Sequence, residues 1–135
     1  MKYIDAKKTP TSLFLFIEYC NKGTLEDFIL EHREGLSDEI VRRFVAQIII
    51  ALKFLKERNI IHRDIKPKNI LIHEDGIKLA DFGVAKIINN HNSDQETTSF
   101  SGTIQFMSPQ ILRQEKYTFA TDMWSLGVTI FFVLF

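Results

Sequence analysis

The sequence predicts an α+β fold, and three observations carry that reading. Apolar residues recur at helical spacing, at positions 41, 44, 45, 48, 52 and 55, behind a good N-cap at Ser37. Two short apolar runs, Ile70-Leu71-Ile72 and Ile77-Lys78-Leu79-Ala80, flank His73-Glu74-Asp75-Gly76 and read as a hairpin with a glycine-containing turn. The order of pieces, strand then helices then hairpin then loop then helix, lacks the regular strand–helix alternation of a parallel sheet.

The elements follow in order. Leu13 to Tyr19 is a short aromatic and apolar run and reads as a buried strand. Cys20-Asn21-Lys22-Gly23 breaks it. Thr24 caps a short helix from Leu25 to about His32, with Glu26 and Asp27 in the favourable first turn. After a loop with Gly35, Ser37 caps the long helix, Asp38 and Glu39 favour its start, and Lys56 and Arg58 suit its end. Asn59 is a natural left-handed residue there. Ile60-Ile61 is a strand fragment and the hairpin follows. Residues 87–103 are rich in Asn, Ser and Thr and read as a loop. A last helix starts near Thr121-Asp122 and runs to the end. No internal repeat or low-complexity linker is visible.

Composition narrows the classes. A length of 135 residues suits one domain, and 45% hydrophobic residues with twelve Phe can fill a core. Seventeen basic and seventeen acidic residues leave no net charge, so nothing points to a nucleic-acid or anionic-membrane partner. One cysteine, Cys20, excludes an internal disulfide and fits a reducing cytosol or nucleus. The start, Met1-Lys2-Tyr3-Ile4-Asp5, carries no apolar signal region. Leu126 to Phe135 is strongly apolar but shorter than the about 20 residues a membrane span needs, and reads as a core helix.

The chemistry concentrates in two motifs. Residues 62–69 read His-Arg-Asp-Ile-Lys-Pro-Lys-Asn, and Asp81-Phe82-Gly83 follows beyond the hairpin. An isolated Asp after Arg is usually a solvated turn residue, and an isolated Asp-Phe-Gly is a common turn. Both in this order, with a hairpin between them, are hard to obtain by chance. The first resembles the protein-kinase catalytic loop, H-R-D-x-x-x-x-N, and the second the metal-binding signature of that family. Further stretches carry the resemblance. Gly102-Thr103-Ile104-Gln105-Phe106-Met107-Ser108-Pro109-Gln110 is similar to the end of an activation segment. Asp122-Met123-Trp124-Ser125-Leu126-Gly127-Val128 is similar to the start of the central helix of the large lobe. Residues 13–20 resemble the strand and hinge that cradle adenine.

The resemblance implies a eukaryotic-type serine/threonine protein kinase and an incomplete protein-kinase-like fold. Residues 1–19 would be the end of the small lobe, 20–24 the hinge, and 25–135 the large lobe up to its central helix. It implies ATP and Mg2+ as cofactors and a protein with Ser or Thr as substrate. Asp64 would accept the proton of the substrate hydroxyl, and Lys66 would lie near the transferred phosphate. Lys66-Pro67 is the serine/threonine pattern. Asn69 and Asp81 would hold magnesium, and Thr103 would bond toward Asp64 and Lys66. Ile17 falls at the gatekeeper position, the backbones of Glu18 and Cys20 would pair with the adenine edge, and Leu71 would pack under the base, although plain core packing accounts equally for Ile17 and Leu71. Asp122 would tie down the catalytic-loop backbone. Arg63 would pair with a phosphate on the segment 81–110, for which Thr97, Thr98, Ser99 and Ser101 are candidates and Ser99 has the best spacing to Gly102. His62 is expected to be structural, packed near Phe82, and His32, His73 and His91 to lie at the surface.

The sequence also departs from the family. No G-x-G-x-x-G loop occurs, and no lysine in a V-A-I-K context precedes Leu13. Gln110 replaces a usual Glu and Phe106 a usual Tyr. These departures leave a second reading, a non-catalytic kinase relative acting as a binding or decoy module. A small-molecule kinase fits less well, because the Gly-Thr and Trp-Ser-Leu-Gly segments are not shared there. Leu126, Val128, Ile130, Phe131, Val133 and Leu134 are expected to be partly bare, so the 135-residue chain is expected to fold poorly alone. Oligomeric state is not legible.

Overall fold

The computed structural model describes residues 1–32, 34–88 and 101–135. In chain order the elements are strands β1 (Tyr3–Lys8) and β2 (Leu13–Ile17), helices α1 (Leu25–Glu31) and α2 (Asp38–Lys56), strands β3 (Ile60–Ile61), β4 (Ile70–His73), β5 (Gly76–Leu79) and β6 (Lys86–Ile87), and helices α3 (Pro109–Leu112) and α4 (Ala120–Leu134). Single 3₁₀ turns cover Pro67–Asn69 and Ile104–Phe106. The strands form three antiparallel pairs, β1–β2, β3–β6 and β4–β5. This is the expected α+β class.

Helix α2 organises the core. Ser37 Oγ accepts from the Ile40 amide at 3.4 Å, acidic residues fill the first turn, and Lys53 and Lys56 fill the last, each favourable to the helix dipole. Its stripe of Val41, Ile48, Leu52 and Leu55 is buried, and Phe44 and Val45 pack against it half-buried. The same cluster takes in Leu25 of α1, Ile65 of the loop after β3, Ile70 and Leu79 of the hairpin, and Leu126 and Val133 of α4. Fully burying one such side chain contributes about 1.5–3 kcal/mol. Asn59, at φ 56°, reverses the chain from α2 into β3. Helix α1 starts on a reciprocal cap. Thr24 Oγ1 accepts from the Asp27 amide at 3.1 Å, and Asp27 Oδ2 accepts from the Thr24 amide at 2.8 Å.

Two expectations are corrected, and three short or uncovered elements carry no sequence signal. Strand β2 was expected to be buried, yet all five of its residues are exposed, because its partner is β1 and both strands stay open to solvent on their faces. Strand β1 has no periodic signal and goes unread, since alternation matters only where one face is covered. Strand β6 and helix α3 are too short to carry a period. The C-terminal helix is not an apolar core helix in the simple sense. Its buried stripe includes Thr121, Asp122, Ser125 and Thr129 besides Leu126 and Val133. Trp124, Phe131, Phe132 and Leu134 are exposed instead.

The reason is what α4 packs against. Ser125 Oγ donates to the Phe106 carbonyl at 2.7 Å, Thr129 Oγ1 donates to the Ser125 carbonyl at 2.8 Å, and Ser108 and Thr121 hydroxyls pair at 3.1 Å. Asp122 takes loop amides. The Phe106 carbonyl and the loop amides are irregular backbone, so part of the buried face of this helix is polar, and each of these polar groups is hydrogen-bonded. Among the described residues no helix is long and apolar enough to cross a membrane.

Candidate active site

The loop from His62 to Asn69 is held at both ends before any chemistry begins. The Asp122 carboxylate accepts the His62 amide (Oδ2, 2.9 Å) and the Arg63 amide (Oδ1, 2.9 Å). Burial pushes the Asp122 carboxyl pKa up, and the two amides pull it part of the way back. Arg63 sits at φ 68°, outside the usual range for a side-chain-bearing residue, and Asp122 holds its amide there. Its guanidinium donates to the Val84 carbonyl and, at 2.9 Å, to the Tyr117 hydroxyl. At the far end the Asn69 carbonyl accepts the Ala80 amide at 2.9 Å, and His62 Nε2 donates to the Ala80 carbonyl at 3.0 Å. His62 is fully buried, its ring 4.8 Å from that of Phe82, and burial pushes its pKa down. Two motifs distant in sequence are thereby clamped on one imidazole.

Asp64 is the centre of the site. Oδ1 accepts the Thr103 amide at 2.9 Å and the Thr103 hydroxyl at 2.8 Å. Oδ2 accepts Lys66 Nζ at 2.8 Å and Asn69 Nδ2 at 2.8 Å. Lys66 Nζ also reaches Thr103 Oγ1 at 2.6 Å. A carboxylate offers about four acceptor positions, and all four are taken. Burial raises the Asp64 pKa, but the hydrogen bonds from Lys66, Thr103 and Asn69 outweigh it and hold the group below the ordinary carboxylate value. Asp64 is therefore an anion at neutral pH, oriented and partly buried.

Thr103 reaches Asp64 because Gly102 lets two backbones meet. Gly102 has φ 116°, and a Cβ there would lie 2.4 Å from the Arg63 carbonyl oxygen. No other residue type fits without moving the loop. On the other side, Asn69 spends its Nδ2 on the Asp64 carbonyl (2.9 Å) and carboxylate, which leaves its amide oxygen available as a ligand. Asp81, at φ 59°, is exposed, and its Oδ1 accepts the Gly83 amide at 3.2 Å. Among the described residues no cluster of three or more His, Cys, Asp or Glu could hold a metal. The donor set of one amide oxygen and one carboxylate instead suits a hard cation that completes its shell with phosphate and water.

The remaining expected residues lie at the end of β2, in the segment after it and on β4. Ile17 ends β2 and is exposed, Cys20 is buried, and Leu71 is half-buried. Glu18 is fastened rather than free. Its amide donates to the Lys2 carbonyl at 2.8 Å, and its carboxylate takes the Lys2 amide at 2.9 Å and Lys78 Nζ at 3.0 Å. Those bonds lower the Glu18 pKa. Segment 23–24 is tied to the hairpin, since Gly23 O accepts the Ile72 amide at 2.9 Å and Thr24 bridges to Leu71. His73 is half-buried, 3.4 Å from Asp75, rather than at the surface. Thr97, Thr98, Ser99 and His91 lie outside the described residues.

Several contributors leave no signal in the sequence: Gln47, whose Oε1 accepts the Ile77 amide at 2.8 Å from across α2, Lys78 opposite Glu18, and Tyr117 against Arg63. All are long-range side-chain contacts, and no local pattern announces them.

Known proteins resemble this chain over most of its length. The family model described as "Protein kinase domain" matches residues 1–135. The chain is 44% identical over 125 residues to "Protein kinase C zeta type" of Oryctolagus cuniculus, covering 92% of the chain and 21% of that protein. It is 39% identical over 132 residues to "Mitogen-activated protein kinase kinase kinase 1a" of Physcomitrium patens, covering 96% and 17%. It is 38% identical over 132 residues to "MAP3K epsilon protein kinase 1" of Arabidopsis thaliana, covering 96% and 10%. The chain thus spans about a fifth or less of the length of these curated relatives.

Proposed function

The chain belongs to the protein kinase family, and from that premise we propose that its site transfers the terminal phosphoryl group of ATP to serine or threonine hydroxyls of a protein. The observation that carries the proposal is Asp64 held as an anion by Lys66, Thr103 and Asn69, with Asp81 beyond the hairpin. The serine/threonine assignment rests on Lys66-Pro67 and on the Thr103 contact.

Phosphoryl transfer asks mainly for positioning and charge neutralisation. Asp64 orients the substrate hydroxyl and takes its proton as the hydroxyl oxygen bonds to phosphorus and the bond to the departing ADP oxygen breaks. With all four acceptor positions of Asp64 filled, one partner has to yield. Lys66 is the partner able to do so, since its long side chain moves from Oδ2 toward the transferring phosphate, where its charge is needed. Thr103 and Asn69 keep the carboxylate in place meanwhile. Asn69 and Asp81 would hold magnesium, whose charge offsets that of the phosphates. Ile17, Glu18, Cys20 and Leu71 would form the adenine side. In this reading 1–19 close the small lobe, 20–24 form the hinge, and 25–135 belong to the large lobe through its central helix. Arg63 would receive a phosphate placed on the activation segment, with Ser99 the acceptor.

The test is transfer of labelled phosphate from magnesium-ATP to a generic protein substrate by the full-length protein, beside Asp64→Asn and Asp81→Asn. Transfer lost in both variants is expected. Transfer that survives Asp64→Asn refutes the assignment of Asp64. ATP binding without any transfer in the unaltered protein favours the non-catalytic reading.

A further inference from the structure

Beside Asp64 lies a cleft of about 510 Å³ whose apolar side the transfer chemistry does not use. We propose that it selects protein substrates carrying an apolar side chain close to the phosphorylated residue. This deepens the proposed function and rests on it.

Four elements converge on the cleft. Helix α1 contributes Ile29 and Leu30, the loop after β3 contributes Lys66 to Lys68, the segment after Gly102 contributes Thr103 and Phe106, and α4 contributes Phe132. It is continuous with the reactive centre, because Lys66 and Thr103 line it and also bond to Asp64. A polypeptide that offers a hydroxyl to Asp64 therefore runs its neighbouring residues across this opening.

Charge decides what the cleft prefers. Its charged lining side chains are already matched. Lys66 is paired with Asp64 at 2.8 Å, and Lys68 faces Glu26 at 3.5 Å at the rim. Neither sign is left in excess for an acidic or a basic substrate residue. The floor is apolar and open. Leu30 is 60% exposed, and Phe132, 51% exposed, extends the buried Phe106 with ring centroids 5.4 Å apart. Large apolar side chains bared beside a polar reactive centre lose water on receiving an apolar side chain, and gain nothing from a charged one.

The experiment is a positional-scanning peptide library phosphorylated by the full-length protein with magnesium-ATP, followed by kinetics with Leu30→Lys. The expected result is enrichment of Leu, Ile, Met or Phe at one position flanking the acceptor. With the preferred peptide, Leu30→Lys is expected to raise KM on the order of ten-fold at unchanged kcat, the scale of discrimination of a modest apolar contact. KM for a peptide with Ala at that position should not move, and Leu30→Met should restore the preference. Strongest enrichment of Arg or of Asp would overturn the proposal and assign the reading to Glu26 or Lys68. Flat profiles in the presence of Asp64-dependent transfer would overturn it while leaving the kinase reading intact. Transfer to no peptide at all would remove the kinase reading, and this proposal with it.

Discussion

Asp122→Asn probes the most consequential joint in the molecule with a change of one atom. The Asp122 carboxylate accepts the buried His62 amide and the part-buried Arg63 amide, both at 2.9 Å. Asparagine keeps one oxygen, so one amide loses its acceptor and meets an NH2 group instead. A hydrogen bond to a charged group contributes about 1.5–3 kcal/mol, and a buried unsatisfied amide costs about 1–3 kcal/mol. Part of this is offset, because burial penalises the Asp122 charge, as its raised pKa records, and asparagine carries no charge to desolvate. The net local loss is then about 2–4 kcal/mol. Hydrogen exchange at the His62 and Arg63 amides of the full-length protein reads that loss directly. At about 1.4 kcal/mol per factor of ten, exchange should quicken roughly 30- to 900-fold. Because Asp64 follows Arg63 on the same strained loop, phosphoryl transfer should fall as well, by roughly a hundred-fold for a displacement near 1 Å. Exchange within about three-fold of the unaltered protein would refute the reasoning, and would mean that the φ 68° conformation of Arg63 is held by something other than Asp122.

Gly102→Ala should cost transfer activity at least ten-fold, since its Cβ would sit 2.4 Å from the Arg63 carbonyl at a φ of 116° and must push Thr103 off Asp64. Steady-state kinetics with kcat within two-fold of normal would contradict it. His62 should make the protein acid-sensitive. Its folded pKa is depressed by burial, so its contribution is complete above the unfolded value of about 6.5 and is lost as pH falls from there toward the folded value. Melting temperatures between pH 8 and pH 5 should decline more steeply for the unaltered protein than for His62→Gln, and equal slopes would refute this. The isolated 135-residue polypeptide should melt broadly, because β1, β2 and the outer face of α4 leave large apolar side chains bare. A sharp two-state transition in calorimetry would refute that expectation.

Several local elements and the family motifs were legible in the sequence because both depend on near neighbours. The α2 stripe, the Thr24 and Ser37 caps and the hairpin around Glu74-Asp75 each follow from spacing and capping within one element. Asp64, Asn69 and Asp81 stand in motifs whose order alone marks the family. Exposure was not legible. An apolar strand such as β2 carries no information about whether anything covers it, so Leu13 to Ile17 read as buried and are bare. Helix α4 misled for the opposite reason. Its apolar residues suggested a core helix, while Asp122 and Ser125 were drawn inward by backbone groups distant in sequence, Thr121 by the Ser108 hydroxyl, and Thr129 satisfies itself on its own helix.

The sequence by itself determined the fold class and the family, since those are properties of residue type, order and short-range period. Only the tertiary structure decided how Asp64 is held, which of its acceptor positions are filled, and that an apolar cleft opens next to it. Those depend on Asp122, Gly102, Thr103 and Phe132 arriving from distant parts of the chain, and the packing that brings them together is a long-range, cooperative outcome with no local signature.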